Sequence, residues 1–288
     1  WVTDGTPAGT LLLKDIYPGK MSSNVTGPAV HNGVLYFGAD DGTTGTELWR
    51  SDGTVAGTYQ VKDIWPGVSS GYPDFMKSMG GLLYFSANDG VNGAELWRSD
   101  GTTAGTYLVK DIYVGISSSW PAYLREVSGA LYFSASTAAA GADLFKSDGT
   151  AAGTVLLKDI QAGASGSYPY NLVSMSGLLY FIATDGGSNT ELWRSDGTGA
   201  GTYMAADIFA GAMGSYPSEL TVVGTTLFFR AEHASNETEL WSFDGTSASL
   251  VKEIYTGPGG SYPQGLREMG GYLYFTAFEN PTGRELWK

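Results

Sequence analysis

The chain contains no cysteine. That excludes disulfides, thiolate nucleophiles and cysteine-ligated metal centres. His31 and His233 are its only histidines, so a His-rich metal centre cannot be assembled and a Ser-His-Asp triad is only formally open. Positive charge is scarce: 16 Lys and Arg stand against 29 Asp and Glu, a formal net charge of −13. A protein that grips nucleic acid needs Lys and Arg to replace phosphate counterions. No nucleic-acid partner is therefore expected, and anionic membrane surfaces are disfavoured for the same reason. No run of 18 apolar residues occurs, so no membrane insertion by a helix is expected. No segment has helical periodicity, and no glycine-rich turn leads from a strand into a helix to cradle phosphate. The first residue is Trp1 rather than Met, which leads us to expect a processed or excised piece of a larger multi-domain or repeat protein.

What is present is repetition. Asp-Gly-Thr begins at Asp4, Asp52, Asp100, Asp148, Asp196 and Asp244, at a constant step of 48 residues. A fixed period in this range marks one supersecondary unit stacked on copies of itself. The 42 glycines, 11 prolines and 18 tyrosines suit short strands joined by tight turns. In the second unit the pattern predicts strands over 74–79, 82–87, 94–99 and 106–112. Gly80-Gly81 and the Asp100-Gly101-Thr102 segment supply the turns between them. Runs such as Leu83-Tyr84-Phe85 and Glu95-Leu96-Trp97 are apolar on both faces. Both faces must then be covered, and without helices the cover must be other sheets. The expectation is an all-β chain, residues 1–288 forming a single six-bladed β-propeller of four-stranded antiparallel blades. A β-solenoid is the alternative.

These residues carry a resemblance. Glu47 to Thr58, reading Glu-Leu-Trp-Arg-Ser-Asp-Gly-Thr-Val-Ala-Gly-Thr, resembles the bacterial ELWxxDGT repeat family, and the match recurs over Glu95 to Thr106 and Glu191 to Thr202. The third copy carries Asp143-Leu144-Phe145, and the copy at Asp244 is two residues shorter. The resemblance implies propeller-type architecture and a secreted or surface-exposed bacterial protein. It implies little about mechanism.

The ring is expected to close through its ends. Glu285-Leu286-Trp287 reads as a third strand lacking a fourth, and residues 10–16 read as a fourth strand without the rest of its blade. Pairing of the two would hide both edges. Cross-strand ion pairs are expected at Glu47–Lys62, Glu95–Lys110, Asp143–Lys158, Glu239–Lys252 and, on closure, Glu285–Lys14. Glu191 would face Ala206 and go unpaired.

Candidate sites lie on the loops. The crossovers between units carry an aromatic residue at Tyr17, Trp65, Tyr113, Phe209 and Tyr255, with Gln161 in the remaining copy, and a second aromatic precedes proline at Tyr72, Trp120, Tyr168, Tyr216 and Tyr262. Such rings could stack on sugars, or wedge between blades. Asp15, Asp63, Asp111, Asp159 and Asp207 recur beside them and could offer oxygen ligands to calcium, or could accept hydrogen bonds within the loop. No cofactor is required by the pattern, although calcium is possible. The fifth unit diverges: Arg230, Glu232 and His233, followed by Glu237, could hold a polar ligand, or could pair among themselves. The functional expectation is a non-enzymatic, extracellular or surface-exposed module for protein–protein interaction or assembly. The alternative is a lectin-like, glycan-binding module using the aromatic loops. A hydrolase or lyase is a third reading, since paired carboxylates could be assembled from different blades.

Overall fold

The computed structural model describes residues 1–186, 189–211, 213–233, 237–257 and 259–288. Among these residues there is no helix, and so none long and apolar enough to cross a membrane. By contacts the chain divides into two compact units. The first comprises Trp1–Leu131, Ala135–Ala138 and Ser147–Val155, and the second comprises Tyr132–Ser134, Ala139–Lys146 and Leu156–Lys288.

The strands form antiparallel meanders of consecutive order. The first sheet is β1 (Thr26–His31), β2 (Val34–Asp40), β3 (Thr46–Ser51) and β4 (Tyr59–Lys62). The second is β5 (Asp74–Met79), β6 (Leu82–Asn88), β7 (Ala94–Ser99) and β8 (Tyr107–Lys110). The third is β9 (Ala122–Val127), β10 (Ala130–Thr137), β11 (Gly141–Ser147) and β12 (Val155–Lys158). In the second unit, β13 (Tyr170–Met175), β14 (Leu178–Thr184), β15 (Thr190–Ser195) and β16 (Tyr203–Ala206) make the fourth sheet. The fifth is β17 (Ser218–Val223), β18 (Thr226–His233), β19 (Glu237–Phe243) and β20 (Ala248–Lys252). The last has three strands: β21 (Gln264–Met269), β22 (Tyr272–Glu279) and β23 (Gly283–Trp287).

The second repeat matches its expected strands closely, and only the fourth is shorter. It stops at Lys110 because Asp111 turns back to accept from Gly115 N at 3.1 Å, while Ile112 N donates to Glu95 at 2.8 Å. Within each unit, neighbouring sheets bury shared apolar clusters. Tyr36, Leu48 and Val61 of the first sheet meet Leu83, Phe85 and Trp97 of the second in one buried cluster. Burial of each such side chain contributes about 1.5–3 kcal/mol, which explains the two-sided apolar runs.

The repeated motif is accounted for by local bonding. Asp52 Oδ1 accepts from Thr54 N at 2.9 Å and Thr54 Oγ1 at 2.7 Å. Thr54 Oγ1 accepts from Gly57 N, and Thr58 Oγ1 donates back to Thr54 O. A Cβ on Gly57 would overlap the Asp52 carboxylate. Arg50 lies over the Tyr59 ring at 5.3 Å. Glu47, Glu95, Asp143, Glu191 and Glu239 are fully buried. Each carboxylate collects donors from the next crossover. For Glu95 these are Ile112 N, Ser119 N at 2.8 Å and Ser119 Oγ at 2.6 Å.

That burial corrects the expected ion pairs. A register shift beside the tryptophan places Lys62 opposite Leu48, Lys110 opposite Leu96, Lys252 opposite Leu240 and Ala206 opposite Leu192. Lys110 Nζ donates to Thr154 O, and Lys158 Nζ to Gly199 O. The glutamates staple crossovers to sheets instead of pairing across strands.

Closure is likewise corrected. Among the described residues β23 pairs with β22 alone, and residues 10–16 do not extend its sheet. Lys14 donates to Thr58 O and lies over Trp49, while Glu285 stands opposite Ala277 and is exposed. The reason is local. Val2 already bonds to Leu11 through both backbone groups at 2.9 Å, so the place beside Leu11 that β23 would take is filled.

Tight turns set one further expectation. Gly93 has φ +73° and its missing Cβ faces Ser117 O and the Ser118 hydroxyl. Gly93→Ala must strain the backbone and push a carbonyl aside, and we expect a loss of about 2 kcal/mol or more. Urea denaturation checks this. A change within a few tenths would show that the turn relaxes freely.

Candidate binding site on the aromatic loops

The two aromatic series differ in fate. The crossover series packs inward. Trp65 covers Gly90, where any Cβ would meet the indole, and Tyr17 covers Gly42 in the same way. Tyr113 is half-buried, and Tyr255 packs edge-on against Phe278 at 5.2 Å. These rings brace the loops beside them.

The pre-proline series faces outward. Tyr72 and Trp120 are each 67% exposed in the first unit, and Tyr168, Tyr216 and Tyr262 are 62%, 44% and 44% exposed in the second. Each is held by its own backbone: Tyr72 N donates to Thr46 O, Trp120 N to Ala94 O and Tyr216 N to Thr190 O, all at 3.1 Å. Their φ values run from 44° to 51°. A bulky residue at positive φ is strained by about 1–3 kcal/mol. Extended backbone is the norm before proline, which makes the conformation more unusual still. The first repeat has Asn24 here at φ 46°, a residue that tolerates this region. Its loop presents no ring.

Three residues further on, a β-bulge repeats the device. Phe75 and Tyr123 have φ 53° and 57°, and each sits in a register shift of the entering strand or its equivalent. Their rings lie 5.7 Å apart, and both are exposed. The bulge residues vary between repeats, reading Gly27, Phe75, Tyr123, Asn171, Glu219 and Gly265. That variation was the available signal for Phe75 and Tyr123, which the sequence reasoning missed.

Within the first unit these rings enclose a groove of about 290 Å³. Tyr72, Phe75, Trp120 and Pro121 form its apolar walls, and Asp74, Ser86 and Asn88 offer polar groups. The floor residue Ser86 occupies the position held by Arg230 in the fifth repeat. There the guanidinium fills the space: Arg230 Nε donates to Ser218 Oγ at 2.6 Å, and its Nη1 lies 3.5 Å from Pro263 O and 3.8 Å from Glu219.

The fifth-repeat cluster therefore separates. Arg230 meets Glu219, a partner the sequence did not suggest, instead of Glu232 or Glu237. His233 Nδ1 lies 3.0 Å from Glu237 O, its Nε2 lies 3.8 Å from the Glu237 carboxylate, and its ring faces Trp241. Glu232 N donates to Ser215 O as part of the strand framework. Residues 234–236 of this loop lie outside the described residues. His31, the other histidine, is buried between Ser78 Oγ and Gly81 O.

The crossover aspartates sit in their own turns. Asp63, Asp111 and Asp159 accept from Gly67, Gly115 and Gly163 N at 3.4, 3.1 and 3.4 Å. Asp15 is exposed, as is Asp207. Among the described residues no group of three or more His, Asp or Glu is arranged to hold a metal ion.

No family model and no curated protein matches the chain. Solved structures do. The computationally designed Ika8 protein is 14% identical, with a TM-score of 0.52, over 91% of this chain and 70% of that one. A puromycin hydrolase mutant complexed with PGG is 16% identical, with a TM-score of 0.53, over 94% of this chain but 45% of that one. This chain thus spans under half the length of the hydrolase. At such identity the likeness shows the fold alone: all-β, built of repeated β-propeller-like blades.

Proposed function

We propose that the chain is a non-catalytic, extracellular or surface-exposed binding module of ELWxxDGT-repeat type that holds glycans on its pre-proline aromatics. One observation carries this: aromatic rings in five of the six equivalent loops are displayed to solvent on a strained, left-handed backbone. Strain at a repeated position needs a return elsewhere, and the packing of the sheets does not supply it, because the rings are exposed. A sugar's C–H face is apolar and slightly electropositive and suits the negative face of a π-system. Asp74, Ser86 and Asn88, which line the groove, can exchange hydrogen bonds with hydroxyl groups. Repetition fits multivalent capture of a polymer, where linked weak sites gain avidity.

A glycan array followed by calorimetry tests the reading. Trp120→Ala is expected to weaken binding about tenfold, the loss of roughly 1.4 kcal/mol of stacking. Trp120→Gly should abolish the same contact while leaving thermal stability unchanged or raised, because glycine accepts positive φ. Absence of saturable binding to any glycan would sink the proposal, as would binding indifferent to Trp120. Binding is expected to survive a chelator, since the crossover aspartates serve their own turns; loss on chelation would bring Asp63 and Asp111 into the site.

A further inference from the structure

We propose, building on the glycan reading above, that the groove over Ser86 is a cation site, and that the glycan it takes is a polymer of amino sugars carrying free ammonium groups. The chain's own fifth repeat shows the equivalent place filled. At the step of the repeats, Ser218, Glu219 and Arg230 stand where Asp74, Phe75 and Ser86 stand in the second repeat, and Pro263 stands where Pro121 does. A guanidinium is held there. Arg230 Nε donates to Ser218 Oγ at 2.6 Å, Nη1 donates to Pro263 O at 3.5 Å, and Nη1 lies 3.8 Å from the Glu219 carboxylate. The proline carbonyl faces this place in the first repeat as well. A Cβ on Gly38, the counterpart of Ser86, would stand 3.4 Å from Pro73 O.

The second repeat keeps the acceptors and removes the cation. Its side chain at this position ends at the Ser86 hydroxyl, and the space that Arg230 fills becomes the groove of about 290 Å³, still lined by Pro121. Asp74 stands opposite Ser86 across β5 and β6 as Ser218 stands opposite Arg230 across β17 and β18. A carboxylate therefore replaces a hydroxyl where the guanidinium was gripped. Asp74 is exposed, and its Oδ1 accepts from Phe75 N at 2.7 Å, which leaves Oδ2 for a ligand. Among the described residues no Lys or Arg lines the groove, so this charge has no counter-ion there. The equivalents of Asp74 read Thr26, Ala122, Tyr170, Ser218 and Gln264, so the acid belongs to this repeat alone.

The walls select among cations. Tyr72, Phe75 and Trp120 line the groove, and an ammonium against such ring faces gains cation–π attraction, indole giving the most. A bare calcium ion needs about six to eight oxygens, and walls of rings do not supply them. A neutral sugar stacks on the rings but brings no charge to Asp74. An amino sugar does both within one residue: its C–H face meets a ring and its ammonium donates to the carboxylate in a charge-assisted bond. The groove stands near the lower end of ligand clefts, about 300 Å³, which suits a single sugar residue. The net charge of −13 draws a polycation toward the molecule before contact.

Calorimetry of the whole chain with glucosamine tetrasaccharides, N-acetylated or free, reads the outcome in a slightly acidic buffer that keeps the amines protonated. The free amine is expected to bind about tenfold more tightly than its acetylated counterpart, through one amine-dependent site per chain. Asp74→Asn keeps an oxygen for Phe75 N and should remove that preference. Ser86→Arg places the fifth repeat's guanidinium in the groove and should abolish the amine-dependent site. Should Ser86→Arg fail to fold, Asp74→Asn, at an exposed side chain, carries the test. Glu253→Gln makes the same charge change at an exposed acid that does not line the groove, and should alter nothing. Equal affinity for the two tetrasaccharides, or a preference that survives Asp74→Asn, overturns the cation site and leaves the glycan reading standing. So does Trp120-dependent binding of a neutral glucan with neither tetrasaccharide bound. A loss as large in Glu253→Gln marks general charge attraction and overturns the site too, as does capture at Asp74 of a lysine- or arginine-bearing peptide in place of the amino sugar. No binding of any glycan takes down both readings.

Discussion

Glu95→Ala is expected to destabilise the chain by roughly 3 kcal/mol or more, because it strips the acceptor from several buried donors at once. Ile112 N, Ser119 N and Ser119 Oγ all point at this carboxylate, within 2.6–2.8 Å. Each unsatisfied buried donor costs about 1–3 kcal/mol. The gain from no longer burying a carboxylate offsets part of this. At about 2–4 °C per kcal/mol for a chain of this size, the melting midpoint should fall by several degrees. Glu95→Gln keeps the shape and one acceptor oxygen, but aims an amide N–H₂ at a donor, so an intermediate loss is expected. The chain contains its own control. Glu285 holds the same motif position but is exposed, so Glu285→Ala should leave the stability of the isolated molecule unchanged. Equal effects at the two positions would show that the staple carries no special weight.

The staple also shows where sequence reasoning stops. Strand positions were legible because β-formers, tight glycine turns and the 48-residue period agree with one another. Gly80 and Gly81, at φ 57° and 80°, sit where a two-residue hairpin demands left-handed backbone. The role of the motif glutamate was not legible. In sequence, Glu47 and Lys62 look like a cross-strand pair, and a single bulge beside Trp49 moves the lysine opposite Leu48. One residue of register changes a surface ion pair into a buried acceptor. The closing strand failed for a similar reason. The sequence shows that residues 10–16 match a fourth strand but cannot show that Val2 is already beside Leu11.

The candidate site was legible in part. Both aromatic series repeat at the same interval, so periodicity could not separate rings that brace loops from rings that face solvent. Backbone conformation separates them. Trp65 packs over a glycine, whereas Tyr72 is turned outward by a positive φ. Arg230 differs in sequence from its counterparts, and its partner Glu219 lies eleven positions earlier, on the bulge of the neighbouring strand. Bulge positions vary from repeat to repeat, which marks them in sequence, but the backbone is needed to place Phe75 at the groove.

Stability is expected to fall as pH rises from about 4.5 to 7, contrary to the usual near-neutral optimum. Burial without a cation partner pushes the Glu47 carboxyl up to about 7 from 4.5, and the Asp143 carboxyl up to about 6 from 3.8. Glu95 and Glu191 are raised for the same reason. The folded chain therefore holds protons that the unfolded chain has already released across this window. More protons bound in the folded state means stability declines with rising pH, and the decline ends above the folded values. At 1.36 kcal/mol per unit, Glu47 alone accounts for roughly 3 kcal/mol. The net charge of −13 adds self-repulsion in the same direction. At the acid end the turn aspartates act oppositely. Hydrogen bonds from Thr246 and the Ser247 backbone hold Asp244 at about 2, and Asp52 and Asp100 are lowered by their own threonines. Their contribution is present above their unfolded value and is lost as pH falls through the folded one. The optimum should then lie near pH 4 to 5, between the two groups of carboxyls. Urea titrations at pH 4.5, 6 and 8 measure the slope. Glu47→Gln, which cannot titrate, should flatten it over the upper part of the range. A rise in stability between pH 4.5 and 7 would mean that the crossover N–H groups outweigh burial, and that these carboxylates are ionised in the folded chain.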